Sequence, residues 1–316
     1  MKGSFSGDKT ATMRIFSENA IGRVLPAETI RADKAEGNLA EVKAVVAIAS
    51  AKGGSGKSTL AVNLAVAMAQ AGRKVGLLDA DLNASSVLTM LGLKAPRRIF
   101  AADLIEPIAG PLGLRIAASS LLTEGEPPPV SFLDDEAMPV LSANGHGSNE
   151  LSYTDALSRL VSGTRLTGIE VLLIDLAPGA GQLHRIARMA PLTGVIVVTQ
   201  PSALSVQAVR GVLEMAANSG IRVIGLVENM AGFNCDGCHA VRPLMPQGDL
   251  AAAAKEAGTP VLARLPFDPR LAECCDRGTL FVREYAETPL AKQLKALGQR
   301  VEQALAIERH LPIATI

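Results

Sequence analysis

The amino-acid sequence predicts an α/β fold, a doubly wound and mostly parallel sheet with helices on both faces. Two observations predict it. From Val42 onward, short and nearly continuous apolar runs alternate with helix-length amphipathic stretches, the pattern of βαβ units in one sheet. A glycine-rich segment at 51–59 then joins the first apolar run to the first such stretch. Residues 1–42 carry no sustained periodicity and read as a flexible leader. The runs at 44–50 (AVVAIAS), 75–78, 171–174 (VLLI), 194–199 (GVIVVT) and 223–227 are short and rich in β-branched residues, as strands covered on both faces are. Helical spacing marks 60–71, 151–161, 203–217, 249–257 and 290–306. Between about 94 and 150 the chain changes character, with Pro127, Pro128 and Pro129 in a row and the stretch SANGHGSNE. It has too little apolar periodicity for its own core and is expected as a long insertion within one domain spanning 43–316.

Composition narrows the function. Lys plus Arg number 31 and Asp plus Glu number 31, for a formal net charge of zero. A chain-wide electrostatic grip on nucleic acid or anionic lipid is therefore not expected. Hydrophobic types are 48% of the 316 residues, enough for a substantial core. Four cysteines cannot staple a chain of this length. The first residues lack the basic-then-apolar pattern of a signal peptide, and no apolar run approaches the ~18 residues of a membrane span. A cytoplasmic protein is expected.

The sharpest motif is Ala51-Lys52-Gly53-Gly54-Ser55-Gly56-Lys57-Ser58-Thr59, directly after a strand and opening a helix. Successive backbone N–H groups there can cradle phosphates, and glycine permits the conformations this requires. The helix N-terminus adds partial positive charge, Lys57 can reach the β and γ phosphates of a nucleotide, and the Ser58 hydroxyl suits Mg²⁺. Asp79 and Asp81 close one strand and Asp175 another. In an open parallel sheet, ligands sit outside the carboxyl ends of the strands, so the three carboxylates and the loop converge on one crevice. A carboxylate there can hold Mg²⁺ or position the attacking water. Taken singly, each aspartate would read as a helix cap or turn residue.

In these motifs the chain resembles the Mrp/ApbC-type P-loop ATPases that carry iron–sulfur clusters, within the wider group of MinD, ParA and the nitrogenase iron protein. The resemblance rests on AKGGSGKSTLAVNLA (51–65), GLLDADLNASSVLTMLGL (76–93), LLIDLAPGAG (172–181), PLTGVIVVTQP (191–201), GLVENMAGFNCDGC (225–238) and LPFDPRLAECCDRG (265–278). It implies a P-loop NTPase fold that binds ATP and Mg²⁺ and hydrolyses ATP slowly. Gly53, Gly54, Ser55, Gly56, Lys57, Ser58 and Thr59 would surround the phosphates and Mg²⁺, and Lys52 would reach a partner's nucleotide across a homodimer. The resemblance further implies that Asp81 positions the attacking water and Asp175 serves Mg²⁺, with Asp79 also at the cofactor. Asn229 and Pro266 would line the adenine site. The sequence departs from the family at 175–182, where DLAPGAGQ lacks a proline, a hydroxyl and a carboxylate beside the γ-phosphate. That departure bears on hydrolysis and switching rather than on nucleotide binding. A second falls at 141–150, where a family segment is replaced.

Cys235-Asp236-Gly237-Cys238 follows an expected strand, in a loop taken as 229–247. One CxxC supplies two ligands, whereas tetrahedral Zn or a 4Fe–4S cluster takes four. A two-fold dimer would supply the second pair, with apo iron–sulfur proteins as recipients. Structural Zn shared across the dimer is the serious rival. Haem attachment through Cys238-His239 and a redox CxxC fit the context less well. Cys274 and Cys275 read as small buried hydrophobes, with auxiliary ligation as the alternative. Two other functions compete: a MinD- or ParA-like positioning ATPase, and a nucleotide-dependent scaffold built on Zn. The stripe Leu290, Leu294, Leu297, Val301 and Leu305 is flanked by both signs of charge, which reads as a packed terminal helix rather than a membrane anchor. Aromatics are only 3% and no basic stripe appears, so no nucleic-acid partner is expected.

Overall fold

Strand β1 (Ala44–Ser50) is the hub of the molecule, with all seven residues buried. The structure is a computed structural model that describes residue 39 and residues 41–94, 100–101, 104–122, 153–234, 237–238 and 240–308. Around β1 the sheet gathers β2 (Val75–Ala80), β3 (Ile108–Ala109), β4 (Arg115–Ala117), β5 (Val171–Leu176), β6 (Gly194–Thr199), β7 (Val223–Glu228) and β8 (Val261–Arg264). Their order is β8-β7-β6-β1-β5-β2-β4-β3. Every neighbouring pair is parallel except β3 with β4. Each parallel step needs a crossover, and helices supply most of them on both faces.

One face carries α1 (Lys57–Gln70), and the other carries α2 (Tyr153–Gly163), α3 (Ala180–Ala187), α4 (Ala203–Asn218) and α5 (Leu250–Glu256). The chain then returns to the α1 face as α6 (Pro269–Arg277) and α7 (Pro289–Glu308). Alternation along β1 divides the core between the layers: Val45, Ala47 and Ala49 face one, Val46 and Ile48 the other. Leu290, Leu294, Leu297, Val301 and Leu305 are all buried in the α1 layer, so the terminal stripe is packing. No helix among the described residues is long and apolar enough to cross a membrane.

The five expected strands form, three of them extended by one or two residues through their acidic ends. The segment expected to leave the sheet from about 94 instead lends it an edge. Ile108–Ala109 and Arg115–Ala117 pair with each other, and the latter with β2. Ile116 and Ala117 are buried there, so three residues gain a place too short to show periodicity. Residues 95–99, 102–103 and 123–152 of that insertion, the leader before residue 39, Cys235 and His239 lie outside the described residues.

Candidate functional site

The loop after β1 takes its shape from two glycines in left-handed backbone, Gly54 (φ 77°) and Gly56 (φ 80°). Any side chain is strained there. Gly56 has a second reason to be glycine, since a Cβ would sit 2.2 Å from Asn229 Nδ2. The loop delivers Lys57 to the first position of α1, where the side chain is 6% exposed. Its Nζ donates to Asp175 Oδ1 at 2.8 Å and lies 3.4 Å from Ser58 Oγ. Asp175, wholly buried near the end of β5, keeps its other oxygen, Oδ2, without a hydrogen bond. Burial holds the Asp175 carboxyl above its usual range, against the pull of the Lys57 ammonium. An orphaned carboxylate oxygen near a hydroxyl is a donor set that suits a hard cation.

A cleft of about 230 Å³ opens over this pair, lined by residues 52–59 together with Ser50, Asp81, Ser86, Met90 and Pro178. Asp81 thus reaches the cleft, half-buried. Lys52 stands exposed at its rim while its carbonyl accepts the Ser50 hydroxyl. A larger cavity of about 480 Å³ opens between α4 and α5, rimmed by Arg210, Glu214 and Glu256. It includes no part of the phosphate loop.

Asp79, expected at the cofactor, does not line the cleft. Its carboxylate is 1% exposed and serves its own chain. Oδ1 accepts the Asp81 N–H, and Oδ2 accepts the Ser85 hydroxyl and the Ser86 and Val87 N–H groups. The residue caps the short helix Val87–Met90 and shapes the loop that carries Asp81. Burial, with the Asp175 charge beside it, pushes its pKa up to about 7 against those hydrogen bonds. The strand's end explains the division of labour: Asp79 is still within β2, whereas Asp81 lies just past its last residue, Ala80, where the chain has left the pleat, so Asp79 turns inward and Asp81 reaches the cleft.

Two contributors escaped sequence reasoning. Tyr153, 4% exposed, donates from Oη to the Ala80 carbonyl at 2.6 Å, bracing the residue before Asp81. The Arg185 guanidinium lies 5.0 Å over its ring, linking α3 to that brace. Gln200, just past β6, donates to the Gly54 carbonyl at 3.1 Å. Tyr153 sits in no quoted motif, and Gln200, although within PLTGVIVVTQP (191–201), was given no role there.

Asn229 follows β7 and donates from Nδ2 to the Ser55 carbonyl at 2.9 Å, behind the phosphate loop. Pro266 lies beyond β8, beside Leu265, whose carbonyl accepts the Ala231 N–H. Both belong to one extension of the sheet edge, and neither lines the phosphate cleft. That extension leads into an antiparallel ribbon, with Phe233–Asn234 paired to Val241–Arg242, which encloses the CxxC. Cys238 is exposed in the turn. Among the described residues no group of three or more His, Cys, Asp or Glu could hold a metal ion. Cys274 is buried in the α1 layer. Cys275 is half-buried beside Thr59, and burial next to Cys274 pushes its thiol up to about 11, away from the thiolate a ligand needs.

A parallel sheet with a glycine-bounded loop, a buried lysine and carboxylates at its carboxyl edge defines a P-loop NTPase. Solved structures share this fold. A nucleotide-binding protein from Archaeoglobus fulgidus, in complex with ADP, aligns at TM-score 0.63 with 26% identity, covering 83% of this chain and 96% of its own. The cell division ATPase MinD of Pyrococcus furiosus aligns at TM-score 0.59 and 23% identity, over 83% and 99%. The chain belongs to the ParA family described as NUBPL iron-transfer P-loop NTPase, which it matches over residues 41–143 and 148–302. It is 32% identical to the iron-sulfur cluster carrier protein of Aquifex aeolicus, over 84% of this chain and 68% of that protein. It is 33% identical to the human cytosolic Fe-S cluster assembly factor NUBP2, over 85% and 95%.

Proposed function

We propose that this protein is an ATP-binding, slowly ATP-hydrolysing carrier that holds a labile 4Fe–4S cluster at a homodimer interface and hands it to apo-proteins. The observation that carries the reading is the exposure of Cys238 on a ribbon leaving the same sheet edge as the phosphate loop. The names of the Aquifex and human relatives point the same way. Two thiolates of one chain leave a cluster half-ligated, and the Cys235 and Cys238 pairs of two chains complete the set.

At the phosphate loop, the N–H groups of residues 53–59 would bind the phosphates and Lys57 would neutralise them. Ser58 and Asp175 would hold Mg²⁺, which lowers the charge repulsion between nucleotide and attacking water when bound. Asp81 would orient that water for attack on the γ-phosphorus, giving ADP and phosphate. Lys52, exposed at the rim, would reach the partner's nucleotide, and Asn229 with Pro266 would face the adenine. The altered segment 175–182 supports slow turnover.

The test is anaerobic loading with ferrous iron and sulfide, followed by iron and sulfide counts per dimer. One cluster per dimer is expected, and Cys235→Ser with Cys238→Ser should abolish it while ATP still binds. A cluster that survives both substitutions, or a single tight Zn per chain, would defeat the proposal.

A further inference from the structure

The geometry points to Gln200 as a positioning residue that couples the phosphate loop to the cysteine ribbon. Two polar side chains grip the back of the loop. Gln200 Nε2 donates to the Gly54 carbonyl at 3.1 Å, and Asn229 Nδ2 donates to the Ser55 carbonyl at 2.9 Å. A peptide unit is planar, so the Gly54 carbonyl turns with the Ser55 N–H, and the Ser55 carbonyl with the Gly56 N–H. Those N–H groups belong to the loop that cradles phosphate. A phosphate that reorients them must therefore rotate the two carbonyls against Gln200 and Asn229.

The same amide of Gln200 lies 3.4 Å from Met230 Sδ. Met230 is one of two non-glycine residues in left-handed backbone among those described, at φ 57°. A methionine holds that strained conformation only where its surroundings impose it, and such positions favour switch segments. Beyond it the path continues by direct contact. The Ala231 N–H donates to the Leu265 carbonyl at 2.9 Å, the Phe267 N–H donates to the Gly232 carbonyl at 2.7 Å, and Phe233 enters the ribbon opposite Arg242. Gly232 is hemmed in by that ribbon, since a Cβ there would sit 3.1 Å from Val241 Cγ1. Gln200 thus touches both the loop and the one strained residue between β7 and the ribbon. Phosphate binding on one side and ribbon geometry on the other become a single equilibrium.

The inference rests on the carrier reading only for what the ribbon holds, so the test has a readout that needs no cluster. In the full-length protein, the rate of Cys238 alkylation by a maleimide is followed by peptide mass spectrometry. Hydrogen exchange across residues 231–247 is measured alongside, with and without a non-hydrolysable ATP analogue. The wild type is expected to change its alkylation rate at least about fivefold on nucleotide addition, the low end for coupled sites. Gln200→Glu keeps the size but cannot donate to a carbonyl. It should bind the analogue, by fluorescence titration, while its ribbon ceases to respond. Met230→Gly, which removes both the strain and the sulfur contact, should weaken the response in the same direction. A wild-type ribbon indifferent to nucleotide, or a Gln200→Glu protein with an undiminished response, overturns the coupling. So does a Gln200→Glu protein that no longer binds nucleotide, because the residue would then merely support the loop. Failure to load a cluster in a protein whose ribbon responds would sink the carrier reading and leave the coupling standing.

Discussion

The phosphate loop and the cysteine ribbon leave the same sheet edge, yet they are held in opposite ways. The loop is clamped: Lys57 and Asp175 are buried against each other, and the Gly54 and Ser55 carbonyls are gripped from behind. The ribbon is two residue pairs long, with Val241 70% exposed in it, Leu244 46% exposed just past it, and Cys238 open to solvent in its turn. A two-stranded ribbon of that size has little stability of its own. The difference follows from the tasks proposed for them. Charge developing on a phosphoryl group is stabilised by dipoles fixed in advance, whereas a cargo site must meet an acceptor and therefore stays at the surface.

The largest effect expected is at Lys57. Lys57→Ala should abolish nucleotide binding in a titration and also weaken the fold, since it strands the Asp175 carboxylate in the core. Breaking a buried pair from one side costs roughly 3–5 kcal/mol. A Lys57→Met, Asp175→Leu double variant should recover stability in denaturant unfolding without recovering binding. If Lys57→Ala leaves both quantities unchanged, the loop is not clamped as described.

Asp81 comes next. Asp81→Asn should bind ATP and lose hydrolysis by about 10²-fold, the scale of a lost positioning or acid–base group. Asp79→Asn should act mainly on stability, because its carboxylate serves the 81–87 loop. The reverse result in a phosphate-release assay would show that the inward and outward assignments are exchanged.

Gly56→Ala should cost about 1–2 kcal/mol for the left-handed backbone alone, and more because Asn229 must withdraw from the new Cβ. Nucleotide affinity and melting temperature should fall together. A variant that melts early but binds normally would detach the Asn229 grip from phosphate binding.

Asp79 also gives stability a pH dependence. Its pKa is raised in the folded protein to about 7, above the ordinary carboxylate value near 3.8. Between those values the folded state holds a proton that the unfolded state has released, so the contribution is full below about pH 4 and fades as pH rises toward 7. Asp79→Asn should flatten the stability-versus-pH curve over that window in denaturant titrations. An unchanged slope would mean that the carboxylate ionises freely within the fold.

How much of this was legible beforehand differs between strands and side chains. Long, doubly covered strands such as β1 and β6 announce themselves, because each of their residues is buried. Strand β8 is four residues long and ends in Arg264, which pairs with Glu228 across the sheet, so the apolar run is too short to stand out. Helix α6 reads as polar, yet its punctuation was present: Asp268 caps its start, Pro269 opens it and Gly278 closes it at φ 68°. The phosphate loop was readable residue by residue, since a chain of N–H groups needs glycine at fixed places. The roles of Gln200 and Tyr153 were not readable. Each acts through a carbonyl far away in sequence, and only the sheet order brings them together.

The smallest effect expected is on the exposed apolar side chains in the ribbon and just past it. Val241→Thr and Leu244→Ser remove methyl groups that already face solvent. Surface changes away from caps, pairs and core contacts usually stay within about 0.5 kcal/mol, and these should leave the unfolding midpoint and nucleotide affinity where they were. If the ribbon is a docking face in the dimer, the same substitutions should instead weaken self-association, read by sedimentation across a concentration series. A midpoint that drops by several degrees in dilute protein would show that these side chains are covered within a single chain. The ribbon would then be held as firmly as the loop, and the contrast between the two regions would fail.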